Sequence, residues 1–569
     1  MRLTLNNTVV FVRQARLSRT KLICLALFMV ALATAGCRRA KKAAPPAARN
    51  AASGDLTPTR PAPPPAATLP APREVPAPAR RGGTLRLHLD GEPPNLMPLG
   101  DVEVSAMQVT QGLVYETLLD CSDGSYQPGL AESWDVSDDH MRLAVRVRSD
   151  VRWHDKRAFG VMDVQATIEP LLRKGADAAP LRALLADVTS IELVTERTVR
   201  LVLKRPSDLV LRALCEIPIL PEHIIRGARP ESLALARQPI GTGPFRFAAW
   251  ERGKRIRLER AAEYWGTPAG VDEIVFDVDA DAVRALNRTR RGELDILARV
   301  LDVHYPEQVE PTTLHGGAAL YRLSSLRYSF LVVNQAHYPL SDPRFRRAVS
   351  MLWDRNRFSS ELHDDLARPI GGPPLGPEAP AAAPPPFDRP RAIALLEAAG
   401  YRDSDADGVR DHEGKAIRLT MLQPAGNKLF NVEARAFVLE MRKAGLLVDL
   451  VATDPATIMM RIKKGEFDFV PMTWQGAPDD DQSLLFGSGG PFNYGGYQSS
   501  AFDALADEAR AATGPAARVG IRQRMARLLA EEQPVLFLYR YEVPALVSGR
   551  VRGLAAIGDR FDLRRVWLE

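Results

Sequence analysis

Long apolar stretches are missing from this chain of 569 residues. A membrane-spanning helix needs about 20 consecutive apolar residues, and the run at 22–34, LICLALFMVALAT, falls short of that. Cysteine is scarce: four residues, Cys24, Cys37, Cys121 and Cys215, of which only the last two lie beyond position 81. That excludes a disulfide-dense scaffold, and two buried thiols are the preferred reading over a single Cys121–Cys215 bridge. The nine histidines are scattered, with no H-x-x-x-H or H-E-x-x-H spacing, which removes the usual zinc signatures. Beyond residue 81 there is no G-x-S-x-G or S-x-x-K stretch, so no hydrolase motif is present. Triads assemble from distant positions, but nothing here points to one, and the chain is read as a non-enzyme. Acid is absent from the leader: residues 1–21 carry Arg2, Arg13, Arg16, Arg19 and Lys21 and no Asp or Glu.

What is present begins with that leader. A basic start, a short apolar core and a small-residue exit, Ala35-Gly36-Cys37, read as an export signal over 1–36. A cysteine directly after Ala-Gly resembles the lipobox of bacterial lipoproteins, although Thr34 stands where leucine is usual. The resemblance implies cleavage before Cys37 and a lipidated thiol in a bilayer; a plain secretory signal is the alternative. Residues 37–81 are mostly Ala, Pro and Arg. Such a stretch buries too little apolar surface to offset its ordering entropy, and its prolines keep it extended, so it reads as a disordered tether. Residues 1–81 hold 14 Lys/Arg and 2 Asp/Glu, a net of +12; the whole chain carries +6, which leaves the remaining body at −6. The basic balance therefore belongs to leader and tether, and nucleic-acid binding loses its support.

The body of 488 residues exceeds what one core usually holds, so two or three domains are expected. GGTLRLHL reads as a first strand and MRLAVRVRSDVRW alternates like a half-buried one. DVQATIEPLLRK, DAVRALNRTRRG and PRAIALLEAAG show helical spacing. KAIRLTMLQP, NVEARAFVLEMRKAG, LLVDLVATD and ATIMMRIKKGEFDFVPMTW follow in β-α-β order, which predicts a mostly parallel sheet with crossover helices. ARVGIRQRMARLLAEEQP is a helix stopped by Pro534, and VLFLYRYEVPALVS a late buried strand.

The segments GGTLRLHLDGEPPNLMPLG, PGLAESW, PIGTGPF, RLERAAEYWG, KKGEFDFVPMTWQGAPDDD and NYGGYQSSAFDALADEAR, in this order, resemble the family 5 extracellular solute-binding proteins, the dipeptide, oligopeptide and nickel-type receptors of ABC importers. Two departures stand out: the family's Asp-Gly turn is here Asp155-Lys156, and its GTGPY is GTGPF, ending on Phe245. The resemblance implies an α/β, two-lobed periplasmic-binding-protein fold, type II-like with three subdomains, closing by hinge motion around a solute. Lobe I is placed at 82–326 with an inserted subdomain at about 97–240, lobe II at 327–534, and a return to lobe I at 535–569.

In the resembling peptide receptors a tryptophan lies against the ligand, and the third residue after it is an aspartate that pairs with the peptide's α-ammonium. Here Trp474 is present, but the aspartate's place falls on Ala477, with Asp479 or Asp480 as substitutes if the loop is longer. Three residues before the tryptophan the oligopeptide receptor has an arginine; here that place is Pro471. Glu92 matches a ligand-contacting glutamate of the same receptor. Trp474, Glu92, Thr242, Gly243, Asp479 and Tyr494 are the candidate ligand contacts, with Phe245 and Tyr497 as further aromatics. Asp479–Asp481 are also readable as a solvated cap on a helix starting near Ser483.

DSDADGVRDHEG, from Asp403, has alternate carboxylates at Asp403, Asp405 and Asp407, the carbonyl of Val409, and Asp411. That spacing can surround a structural Ca²⁺, although Gly414 stands where an EF-hand has its bidentate acid; a metal-free turn is the alternative. No other cofactor is expected. The resulting expectation is a monomeric, lipid-anchored receptor facing the periplasm or cell exterior, handing a peptide-like solute to an ABC permease. A non-transporting ligand sensor or interaction protein on the same scaffold is the alternative.

Overall fold

The computed structural model describes residues 3–4, 66–67, 69 and 81–569, less 101–102, 123–124, 174–177, 208, 227–233, 302–303, 310–316, 376–380, 427, 477–480 and 513–514. Cys37, the leader apart from Leu3–Thr4, and nearly all of the tether lie outside the described residues, as do Ala477, Asp479 and Asp480. No helix among the described residues is long and apolar enough to cross a membrane.

Lobe I starts with β1 (Thr84–Leu89), whose alternate residues Leu85, Leu87 and Leu89 are buried. The chain then leaves for an antiparallel sheet of its own: β2 (Ala131–Val136), β3 (Arg142–Val147), β4 (Val188–Thr195) and β5 (Thr198–Leu203), ordered β2-β3-β5-β4. Helices α1 (Val161–Leu172) and α2 (Leu209–Glu216) join it in a separate core that includes Leu143, Val145, Val164, Ile168 and Leu214. Back in the main sheet, β6 (Phe245–Glu251), β7 (Arg255–Arg260) and β8 (Glu273–Val278) are antiparallel neighbours, and β8 runs parallel to β1. Helix α3 (Ala282–Arg290) is capped by Asp281, which accepts the Arg284 N–H at 3.0 Å, and leads to β9 (Ile296–Leu297).

The two cysteines of the body do not remain thiols. Cys121 and Cys215 form a disulfide with their Cα atoms 5.8 Å apart, across 94 residues of sequence. Their sequence distance gave no hint of this; the inserted sheet brings the end of Leu119–Asp120 against α2. At the altered Asp-Gly turn, Lys156 adopts φ +74°, the left-handed conformation glycine tolerates and a side chain resists.

Lobe II follows the β-α-β order. α4 (Arg389–Ala398) precedes β11 (Arg418–Pro424), α5 (Lys428–Arg442), β12 (Leu447–Thr453), α6 (Pro455–Lys464) and β13 (Phe469–Gln475), and β11 is parallel to both β12 and β13. α6 shows its local code plainly: Asp454 accepts the Thr457 N–H at 2.9 Å, Pro455 opens the helix, and Gly465 closes it at φ +72°. α7 (Ser500–Ala511) and α8 (Pro515–Glu532) complete the lobe.

Two long strands cross between the lobes. β10 (Ala319–Val333) and β14 (Val535–Val547) are antiparallel partners along most of their lengths. Ala319–Ser324 pair with Val547–Glu542, and Tyr328–Val332 pair with Arg540–Val535, with a register shift between. β9 extends the lobe I end of β14, and β13 extends the lobe II end of β10. The order β12-β11-β13-β10-β14-β9-β1-β8-β7-β6 thus joins both lobes in one sheet. Val535–Arg540 therefore still belong to lobe II, and the return crossing falls near Tyr541 rather than at 535. In lobe II the sheet is buried on both faces: Leu331, Val333 and Leu536 enter one core, Phe330, Val332 and Phe537 the other. This is why these strands read as continuous apolar runs.

Candidate functional site

In parallel sheets ligands gather at the carboxyl ends of the strands. Here those ends are Pro424, Thr453 and Gln475. Among the described residues β11 meets β13 only at Met421 and Phe469, so the last residues of β13 have β10 on one side and no described strand of the lobe on the other. That edge takes an extended chain: Leu3 pairs antiparallel with Trp474, and Thr4 with Thr473.

Trp474 is buried, with its cross-strand neighbour Tyr328 on one side and the Phe492 ring 5.4 Å away, edge-on. Tyr494 packs on the same cluster, 6.4 Å from Phe492, and burial raises its phenol pKa. Tyr328 is in turn opposite Arg540 of β14. Trp474, Tyr328 and Arg540 therefore form one row across three strands. The Arg540 Nε donates to the Ser325 carbonyl at 2.9 Å, and burial lowers the pKa of the guanidinium. Arg540 gave no signal in the sequence, because strand register alone puts it in the tryptophan's row, across Tyr328.

The other candidates divide. Glu92 accepts from Trp250 Nε1 at 2.9 Å and the Gly253 N–H at 3.0 Å, with Arg252 stacked 3.6 Å over Trp250. It ties the exit of β1 to the β6–β7 turn. Thr242 is buried and donates to Glu116 at 2.8 Å. Glu116 also accepts from the Tyr264 hydroxyl at 2.7 Å and Trp265 Nε1 at 2.8 Å, and loss of water raises its pKa against those donors. Gly243 packs where a Cβ would lie 2.4 Å from the Leu113 carbonyl oxygen, and Gly241 where it would lie 1.7 Å from that of Val114. PIGTGPF thus docks on the Leu113–Glu116 turn inside lobe I, with Phe245 in the core. Thr242 and Gly243 serve packing here: the close backbone approach that glycine permits is to the protein itself. Tyr497 is buried and donates to Glu532. Of the acidic loop, Asp481 lies just before the short helix Ser483–Phe486, whose N-cap is Gln482, and accepts the Ser483 N–H at 3.0 Å and hydroxyl at 2.6 Å.

On the far side of lobe II, Asp403, Asp405 and Asp411 bring carboxylate oxygens within 4.8 Å of one another. Asp411 is largely buried and accepts the Ser404 hydroxyl at 2.7 Å. Asp407 stands outside the trio, one oxygen taking the Val409 N–H at 2.7 Å. The three convergent acids suit a hard cation.

A two-lobed sheet with two crossing strands, and near the crossing a strand edge that pairs with an extended segment, is the frame of a solute receptor, and the family comparison agrees. The pattern of the bacterial extracellular solute-binding proteins, family 5, middle region, matches residues 125–496. The chain belongs to that family. As a family 5 protein it is 27% identical over 453 residues, 72% of this chain and 80% of the relative, to the di/tripeptide-binding protein 2 of Pseudomonas aeruginosa. It is 25% identical over 481 residues, 81% and 86%, to the oligopeptide-binding protein AppA of Bacillus subtilis. Among solved structures, AppA from Bacillus subtilis in complex with a nonapeptide covers 86% of the chain and 99% of its own length at TM-score 0.66 and 23% identity. NikA from Brucella suis in complex with Fe(III)-EDTA covers 86% and 100% at TM-score 0.73 and 21% identity. These structures establish the fold of this solute-binding protein.

Proposed function

We propose that the protein captures a peptide or peptide-like solute between its lobes and delivers it to an ABC permease. One observation carries the reading: the carboxyl-end edge of β13, at Thr473 and Trp474, pairs with an extended backbone. Strand addition supplies sequence-tolerant hydrogen bonds to any extended peptide, and the row Trp474, Tyr328 and Arg540 lies alongside. With the leader removed after export, that edge is available to a solute. The relatives named for di/tripeptide and oligopeptide binding support the class. Ala477, in place of an acid, and Pro471, in place of an arginine, argue for a charge-pairing pattern of its own.

The same reading includes a lipid on Cys37 and a tether over 37–81 that holds the lobes on the order of 100 Å or less from the bilayer. It also includes a Ca²⁺ held by Asp403, Asp405 and Asp411, which would tie the loop ends together. Adding about 1 mM calcium, the weak-affinity range of extracellular sites, should raise the melting temperature over that in chelator; equal values would remove the metal.

Native mass spectrometry of protein purified from its own envelope tests the solute. Short peptides released on mild denaturation support the reading, and a different class of small molecule overturns it.

A further inference from the structure

The hairpin that joins Leu119–Asp120 to Gln127–Pro128 in lobe I presents Tyr126 toward lobe II. The guanidinium carbon of Arg518, on the first turns of α8, lies 5.9 Å from the centre of the Tyr126 ring. Arg518 is almost fully buried, unusual for an arginine. Burial pulls its pKa below the ordinary value; Tyr126 works against that fall and Arg522 adds to it. An aromatic face is a fitting neighbour for a buried, weakly hydrated guanidinium.

Two further observations meet at this boundary. Cys121 immediately follows the first strand of the hairpin, and its disulfide to Cys215 fastens it to α2; Tyr126, Cys121 and Cys215 all pack on the core of the inserted subdomain. Also in lobe I, Arg205 is bound to buried Asp187 at 2.8 Å. That bond raises its pKa first, and the charges of Asp481 and Asp507, both in lobe II, add to the effect. Opposite charges thus act between the two lobes.

We propose that Tyr126 and Arg518 form a latch between the lobes, with the Cys121–Cys215 disulfide holding the hairpin in position to engage. Because one partner belongs to each lobe, moving the lobes apart at this boundary breaks the contact. It biases the closed state independently of which solute is bound. The disulfide limits how far the hairpin can yield, so the latch acts on the lobe as a body rather than on a loose loop.

Hydrogen–deuterium exchange of the full-length protein tests this, since a cross-lobe effect reports on the latch and not on local packing. Tyr126→Ala should speed exchange about five- to tenfold, the loss of one partly desolvated cation–π contact, at the amides of Val519–Met525 in the opposite lobe. Tyr126→Phe, which keeps the ring face, should leave those amides as in the parent. Unchanged protection of α8 in Tyr126→Ala, or equal loss in Tyr126→Phe, overturns the proposal. Arg518→Lys should keep hairpin protection at 125–128 and Arg518→Leu should lose it; equal protection in both overturns the role of the cation. In the pair Cys121→Ser and Cys215→Ser, faster exchange in both the hairpin and α8 supports the disulfide's part. A loosened hairpin over an unchanged α8 removes that part.

Discussion

Single side chains in this protein divide by whether they face a core or a partner. Trp474 is the clearest case. The resemblance marked it as a ligand contact, and its side chain is buried against Tyr328 and Phe492. Trp474→Ala should therefore cost about 3–5 kcal/mol of stability, as removal of a buried aromatic does, read from denaturant midpoints at constant slope. An unchanged midpoint would return the residue to the role of a ligand plate alone. Glu116 has a different signature. Its raised pKa means the folded protein holds that proton more tightly than the unfolded chain does. Its stabilising share is fully present below the unfolded value of 4.5 and is lost as pH rises through the folded value. The parent should thus lose stability relative to Glu116→Gln as pH rises above that point, in paired melts across pH. A constant difference would show that Glu116 does not titrate in that range.

Elements obey local rules except where another backbone intrudes. α6 keeps to them, with Asp454 capping its start and Gly465 its end. The parallel order of β11, β12 and β13 was legible in the sequence, because period and crossover length are local properties. The turn at Lys156 breaks a local rule, held by the Lys156 N–H donating to the Trp153 carbonyl at 2.7 Å. Lys156→Gly should stabilise by about 0.5–1 kcal/mol, the left-handed penalty less the entropy of glycine, measured by thermal melts; a loss would mean the lysine earns its place. At PIGTGPF the intruding backbone is Leu113–Val114. Gly241→Ala puts a Cβ 1.7 Å from an oxygen that cannot swing away. It should leave lobe I unfolded or strongly destabilised, seen as loss of the cooperative melt. A normal melt would show that the turn can retreat.

At the scale of the molecule, β10 and β14 make one sheet of two lobes, and the inserted subdomain is stapled by a disulfide across 94 residues. Closing a loop of that length in the unfolded chain is worth about 4–5 kcal/mol in the chain-entropy account. Replacing both cysteines by serine should lower stability by that order, with the inserted sheet opening first; equal exchange rates in β3 and β5 would show that its core needs no staple. The sequence alone determined the +12 of residues 1–81, the −6 of the body and the β-α-β order of lobe II, because charge and apolar period act over a few residues. Only the tertiary structure decided that Cys121 meets Cys215, that Thr242 serves Glu116, that the return crossing lies near Tyr541, and that Arg540 stands in the row of Trp474. Each of those depends on strand register or on the approach of segments far apart in the chain, which are set when buried surfaces are matched across the whole fold.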